Sequence, residues 1–339
     1  RSARELPWAP RGFELAWSQL PLAPRRAAAR RAGRASGTAR VESVRERSHV
    51  RVEAGPLAWR FHAQAAELRS LCLEGRELLG ETPRLQVWRA PLDNDGIKAW
   101  EVPESRPLGR WRAQGLERLV LGAGTLRMRR GPRGSLEIRL SRGSDVGIEH
   151  VQLFRIAPDG SAHVVERFQV PEALADLPRL GVRWILSPEL EHLEWLGRGP
   201  HESYPDRKRG ARLGIHASRV PDEYVPYIVP QEHGLHCDVR WLRLRGEAGF
   251  GIELEAERHL MFSASRYRAE DLTAASHTFE LEPRPETVLS LDAAHRGLGT
   301  GSCGPDTHPR HRVRAGRHRL AYTLRPLSGA RRRRRGRGA

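Results

Sequence analysis

Three polar stretches carry residue types that bind sugars, cations or phosphates. Trp88-Arg89-Ala90-Pro91-Leu92-Asp93-Asn94-Asp95-Gly96 runs from an apolar segment into a turn. Its Asp-Asn-Asp offers oxygens to a cation or to sugar hydroxyls, yet Asx side chains also shape turns by bonding their own backbone. It lacks the later Gly and Glu of a calcium loop. Leu196-Gly-Arg-Gly-Pro-His-Glu-Ser-Tyr-Pro-Asp206 mixes two glycines and two prolines with polar and aromatic residues. That composition predicts a loop of fixed path, either a binding loop or a plain connector between strands. It is expected to lie between the apolar runs Val182 to Leu186 and Val225 to Val229. Gly297-Leu-Gly-Thr-Gly-Ser-Cys-Gly-Pro-Asp306 has the glycines of a phosphate loop but not its Gly-Lys-Ser/Thr ending. Pro305 and Pro309 forbid a clean helix after it, so a tight loop that exposes its backbone is expected.

Other reactive residue types are scattered. His201, His233, His236 and His295 show no metal-binding helix spacing. Glu189, Glu191, Glu194 and Glu202 cluster in sequence, but glycoside hydrolysis needs two carboxylates facing across one bond, which spacing alone does not show. Cys72, Cys237 and Cys303 fit no zinc pattern. No base stands at a recognised distance from Cys303, which predicts an inert thiol.

The elements that would position these residues read as strands. Val50, Val52, Leu57, Trp59 and Phe61 alternate with polar neighbours. Short apolar runs then recur between turns, among them Leu116 to Leu121, Ile148 to Ile156, Val164 to Val170, Leu180 to Leu186, Leu235 to Leu244, His277 to Leu281 and Arg317 to Leu324. Many short strands with frequent turns predict an all-β chain built as a large antiparallel sandwich. The one helix expected covers Arg268 to Ser276. Phe13, Leu15 and Trp17 alternate as a half-buried strand does, and residues 1–24 are expected to close a domain that lies before this one. Residues 25–40, rich in Arg and Ala without an apolar face, read as a linker. The sandwich is expected over 41–327 and a disordered Arg-rich tail over 328–339.

The net charge of +17 invites a polyanion reading. Residue choice weakens it: only Lys98 and Lys208 are lysines, so 56 of the 58 basic residues are arginine. Near-exclusive Arg with much Ala, Gly and Pro points to coding bias, and weak polyanion binding is expected of Arg331 to Arg335 alone. No apolar run is long enough to span a bilayer and no leader pattern opens the chain. Few cysteines suit a reducing cytoplasm. A first residue other than Met is expected of a piece of a longer protein.

Several of these motifs resemble one family. Trp-Arg-Ala-Pro-Leu-Asp-Asn-Asp at 88–95 looks like the signature that opens the C-terminal domain of the large bacterial β-galactosidases of glycoside hydrolase family 2. Gly-Arg-Gly-Pro-His-Glu-Ser-Tyr-Pro-Asp-Arg at 197–207 resembles a second motif of that domain, and Tyr227-Ile-Val-Pro-Gln-Glu-His-Gly234 a third. Phe262 to Ser265, Tyr267, Asp292 and Gly297 to Cys303 fit in the same order. Residues 7–22 look like the end of the preceding immunoglobulin-like domain. The resemblance implies a galactose-mutarotase-like supersandwich. It implies the C-terminal domain or small subunit of an enzyme that hydrolyses terminal β-D-galactose residues with retention. The family's catalytic glutamates lie in a (β/α)8 barrel whose motifs are absent here, so no catalytic residue is expected in this chain and activity of the chain alone is not. The implied partners are that barrel portion and a β-galactoside, in an oligomer, with no membrane and no specific nucleic acid. The resemblance allows Mg and Na in the complete enzyme; no cofactor or metal is expected to be bound by this chain. Substrate-side contacts carry over to Asp93, Asn94, Asp95, Ser302 and Cys303.

Competing readings remain at this level. A free-standing carbohydrate-binding sandwich would need an open face with aromatic platforms. An aldose epimerase would need a His and a Glu poised at one sugar.

Overall fold

The structure, a computed structural model, describes residues 1–20, 22, 40–98 and 100–328. Most of the expected linker and tail lies outside these residues. The chain divides into two units, Arg1–Arg34 and Ala35–Ala339. In the first, a Leu6–Ala9 bridge is the recorded strand-like contact, and Trp8 meets Phe13 edge to face at 5.8 Å. The strand expected through Phe13, Leu15 and Trp17 does not form, and all three side chains are exposed. Alternation gives a strand only where a neighbour supplies the ladder.

The second unit starts with a meander in sequence order: β1 (Glu42–Arg45), β2 (His49–Ala54), β3 (Leu57–His62), β4 (Glu67–Leu73) and β5 (Arg76–Glu77). Val50, Val52, Trp59 and Phe61 all point inward, as their alternation requires. Then come β6 (Leu79–Gln86), helix α1 (Pro107–Ala113), β7 (Leu121–Arg130), β8 (Leu136–Ser144), β9 (Glu149–Ile156), β10 (Ala162–Val170) and β11 (Arg179–Leu186). The remainder is β12 (His192–Gly199), β13 (Arg212–Arg219), β14 (His236–Arg245), β15 (Gly251–Ser265), helix α2 (Ala269–Ala274), β16 (Thr287–His295) and β17 (Gly316–Leu327).

These later strands make one antiparallel sheet that branches. One arm runs β13-β12-β14-β15-β17-β10-β9-β8-β7. The other runs from β15 through β16 and β11 to β6. The branch point is the 15-residue β15: residues 251–256 pair with β17, and residues 261–265 pair with β16. The meander packs on the first arm, where Phe154 of β9 meets Phe61 at 5.4 Å and Trp59 at 6.1 Å. This is the large antiparallel sandwich that the strand count predicts.

Local expectations need correction in several places. Leu116–Arg118 and Thr278–Glu280 are 3-10 turns rather than strands. In the second, the Glu280 carboxylate accepts the Ser276 amide, which curls the chain. The 196–206 stretch is not all loop, because Leu196 to Gly199 ends β12. Helix α1, which starts with Pro107 in its first turn, was not expected. β13 is a solvated edge strand with no clean alternation to read. The α2 helix lies inside its expected range. Among the described residues, no helix is long and apolar enough to cross a membrane.

Candidate functional site

The turn after β6 is built around a buried ion pair. Arg89 reaches the Asp95 carboxylate through Nη2 at 2.7 Å and Nε at 3.2 Å. Asp95 also accepts the Leu92 amide at 3.1 Å, which closes the turn. The other edge of the Arg89 guanidinium donates to the Arg296 carbonyl at 2.8 Å. Arg296 follows β16 and bonds Asp176, Asp306 and Thr307 at 2.7–2.8 Å. Both guanidiniums face Trp111 of α1, 5.5 and 5.6 Å from the ring centroid. Buried cations of this kind persist only when every donor is used and the charge is balanced.

This frame brings the polar stretches together. Asn94 Nδ2 donates to the Gly299 carbonyl at 2.8 Å. Asn94 Oδ1 accepts Ser302 Oγ at 2.5 Å and the Ser302 amide at 3.1 Å. Arg106 donates to the Gly301 carbonyl. Asp206, at the end of the 197–207 motif, accepts the Leu298 amide at 3.0 Å and the Gly299 amide at 2.8 Å. Glu202 accepts the Tyr227 hydroxyl at 2.9 Å and the Gly234 amide at 2.9 Å. The Glu232 amide donates to the Ala90 carbonyl at 3.2 Å. Four motifs spread over two hundred residues thus converge on one set of loops.

The expected contact residues separate into two kinds. Asp93, Ser302 and Cys303 are exposed and Asn94 is half-buried, so they can meet a ligand. Asp95 cannot. It is fully buried with its carboxylate committed to Arg89 and the turn, which corrects its expected place among substrate-side residues. The Cys303 thiol is free and exposed.

Glycine keeps the loops close. A Cβ on Gly301 would stand 2.4 Å from the Asn94 carbonyl oxygen, a backbone atom with little freedom to move. We expect Gly301→Ala to destabilise the chain by about 1–3 kcal/mol, as overpacking does, and to speed amide exchange at Ser302. An unchanged thermal midpoint with unchanged exchange would show that the loops have room to separate.

A second buried cluster lies behind these loops. Arg179 is bidentate to Asp292 at 2.7 and 3.1 Å, and its Nη1 is 3.5 Å from Glu232. His295 Nε2 is 3.6 Å from the other Glu232 oxygen. Burial raises the Glu232 carboxyl, but Arg179 and then His295 outweigh it and lower its pKa to about 2. A His and a Glu do meet here, but the Glu is committed to Arg179. Three of the four carboxylates grouped in sequence are committed too. Glu191 is held by Arg219 and Arg266, Glu194 by Arg243 and Glu202 by Arg207. Glu191, His192 and Glu247 could gather round a metal, but Glu191 is already neutralised by its two arginines.

Arg89, Arg179, Arg296 and Trp111 were not singled out by the sequence. In a chain with 56 arginines, three that are buried carry no mark.

A sequence profile described as β-galactosidase small chain matches residues 53–325. A β-galactosidase of Vibrio cholerae serotype O1 is 31% identical over 330 residues, covering 94% of this chain and 31% of that protein. One from Arthrobacter sp. strain B7 is 33% identical over 344 residues, covering 94% and 32%. One from Yersinia enterocolitica is 31% identical over 320 residues, covering 91% and 29%. The chain therefore spans about a third of the length of the curated relatives it matches. Among solved structures, an aldose epimerase homologue from C. elegans aligns with 85% of this chain and 99% of that one, at a TM-score of 0.36 and 11% identity.

Proposed function

Since the chain belongs to the β-galactosidase small-chain family, we propose that it forms the non-catalytic wall of a β-galactosidase active site. The observation that carries this reading is the Asn94–Ser302 junction, which sets Asp93, Ser302 and Cys303 on neighbouring exposed loops. Asp93, Asn94 and Ser302 offer hydrogen bonds to sugar hydroxyls. Cys303 faces the leaving-group sugar. Asp95 acts on the sugar only through the turn that it holds.

The complete enzyme removes terminal β-galactose with retention. One carboxylic acid protonates the leaving oxygen while a second carboxylate attacks the anomeric carbon. Both belong to a barrel portion, supplied by a large subunit or by missing domains of the same chain. Residues 1–24 are the end of an immunoglobulin-like domain that precedes the sandwich. Three free cysteines favour a reducing, cytoplasmic setting.

The test is reconstitution. The chain alone should not turn over a chromogenic β-galactoside, and addition of the barrel portion should restore turnover. In the restored enzyme, Cys303→Trp supplies the stacking face that a thiol lacks. It should tighten inhibition by free glucose by about 0.5–1.5 kcal/mol. Turnover by the chain alone, or a lowered thermal midpoint with unchanged glucose inhibition, would reject this assignment.

A further inference from the structure

Trp100, Ile228 and Phe279 are 67, 88 and 83% exposed, the three highest values among large apolar side chains described in the second unit. They come from three separate stretches that meet at one ammonium group. Lys98 Nζ donates to the Pro230 carbonyl at 2.8 Å, to the Leu272 carbonyl at 2.5 Å and to the Ala275 carbonyl. Trp100 lies two residues beyond Lys98, Ile228 two before Pro230, and Phe279 four beyond Ala275. The Phe279 ring is stacked on His277 at 5.2 Å, so it is held out from the surface rather than folded under it.

The tether is a specific device. An ammonium offers three donors from one point, whereas a planar guanidinium cannot converge on three carbonyls in the same way. Lys98 is one of two lysines in a chain that otherwise uses arginine. Nothing in the tether requires large apolar groups to stand beside it in water. Exposed large apolar groups carried by stretches that share one fixed tether mark a surface that is covered in use.

We propose that the face formed by Trp100, Ile228 and Phe279 is where the catalytic portion of the enzyme docks. The inference rests on the reading given under Proposed function. Two observations favour that occupant. The relatives hold roughly two thirds of their length outside the region this chain covers, so a large surface must be met somewhere. The face also continues from the turn that bears Asp93 and Asn94, a few residues before Lys98. Docking here would fix the sugar-facing loops and the catalytic groups in one register.

The test uses the full chain and, as probe, a barrel-bearing large chain from a two-chain member of the family. Complex formation is followed by sedimentation. Trp100→Ser with Phe279→Ser should weaken the complex at least tenfold and leave the thermal midpoint of the isolated chain unchanged. Ile215→Ser, an equally exposed apolar site on the edge strand β13, should leave the complex intact. Undiminished binding by the double variant would overturn the proposal and spare the functional reading. Equal loss with Ile215→Ser would overturn it as general adhesion. A wild-type dimer made monomeric by the double variant would assign the face to a second copy instead. Failure of the wild-type chain to bind any large chain would reject the functional reading together with the proposal.

Discussion

Asp95→Ala should destabilise the chain by about 3–5 kcal/mol, because it leaves a buried guanidinium without its counter-charge. Arg89 and Asp95 are both fully buried, and the pair is bidentate at 2.7 and 3.2 Å. Arg296 keeps Asp176 and Asp306, so the loss falls on Arg89. At roughly 2–4 °C per kcal/mol for a domain of this size, the thermal midpoint should drop by about 6–20 °C. Asp95→Asn separates positioning from contact. It keeps the shape of the side chain and removes the charge, so it should also lower the midpoint. A variant that melted like the wild type but bound sugar poorly would return Asp95 to the substrate side. Replacing both partners, Arg89→Met with Asp95→Leu, should recover part of the loss, since a buried pair exchanged for packed apolar groups is often neutral.

Acid should unmask the second cluster. The folded pKa of Glu232 is about 2, against an ordinary value of 4.5. A depressed carboxyl stabilises the fold fully above its unfolded pKa, and the contribution is lost as pH falls through the folded one. For a group this buried the shift is worth on the order of 3 kcal/mol, fading between about pH 4.5 and 2. Glu232→Gln should therefore be the less stable protein at neutral pH. The gap between it and the wild type should shrink to about half by pH 3, which is still one unit above the folded pKa. Melting both proteins from pH 7 to pH 3 measures this gap. A gap that stayed constant would show that Glu232 contributes by packing and not through its charge.

The architecture was legible because alternation is a local signal. Val50, Val52, Trp59 and Phe61 could be placed inside from their spacing alone. Segments without that signal were lost. β13 is solvated along its length, and the 278–280 turn depends on a side-chain acceptor. At the site, the motifs marked the loops but not the frame beneath them. Asp93 and Asp95 are identical in type and two positions apart, yet one faces water and the other faces Arg89. Only the path of the turn separates them. Arg89 itself reaches a carbonyl 207 residues away, a contact that no sequence period encodes.

The position of β17 has a consequence for synthesis. This strand, residues Gly316–Leu327, lies between β10 and β15 and pairs with both. A ribosome makes it after both neighbours. Until it emerges, β7 to β10 have no ladder to the rest of the long arm, because β10 has no other partner on that side. The meander β1 to β5 needs only neighbours in sequence and can form early. The long arm closes late, with the exposed edges of β10 and β15 waiting for the same strand. A nascent chain stalled before Gly316 would therefore hold two unfinished half-sheets, the form that quality-control proteases and chaperones would meet.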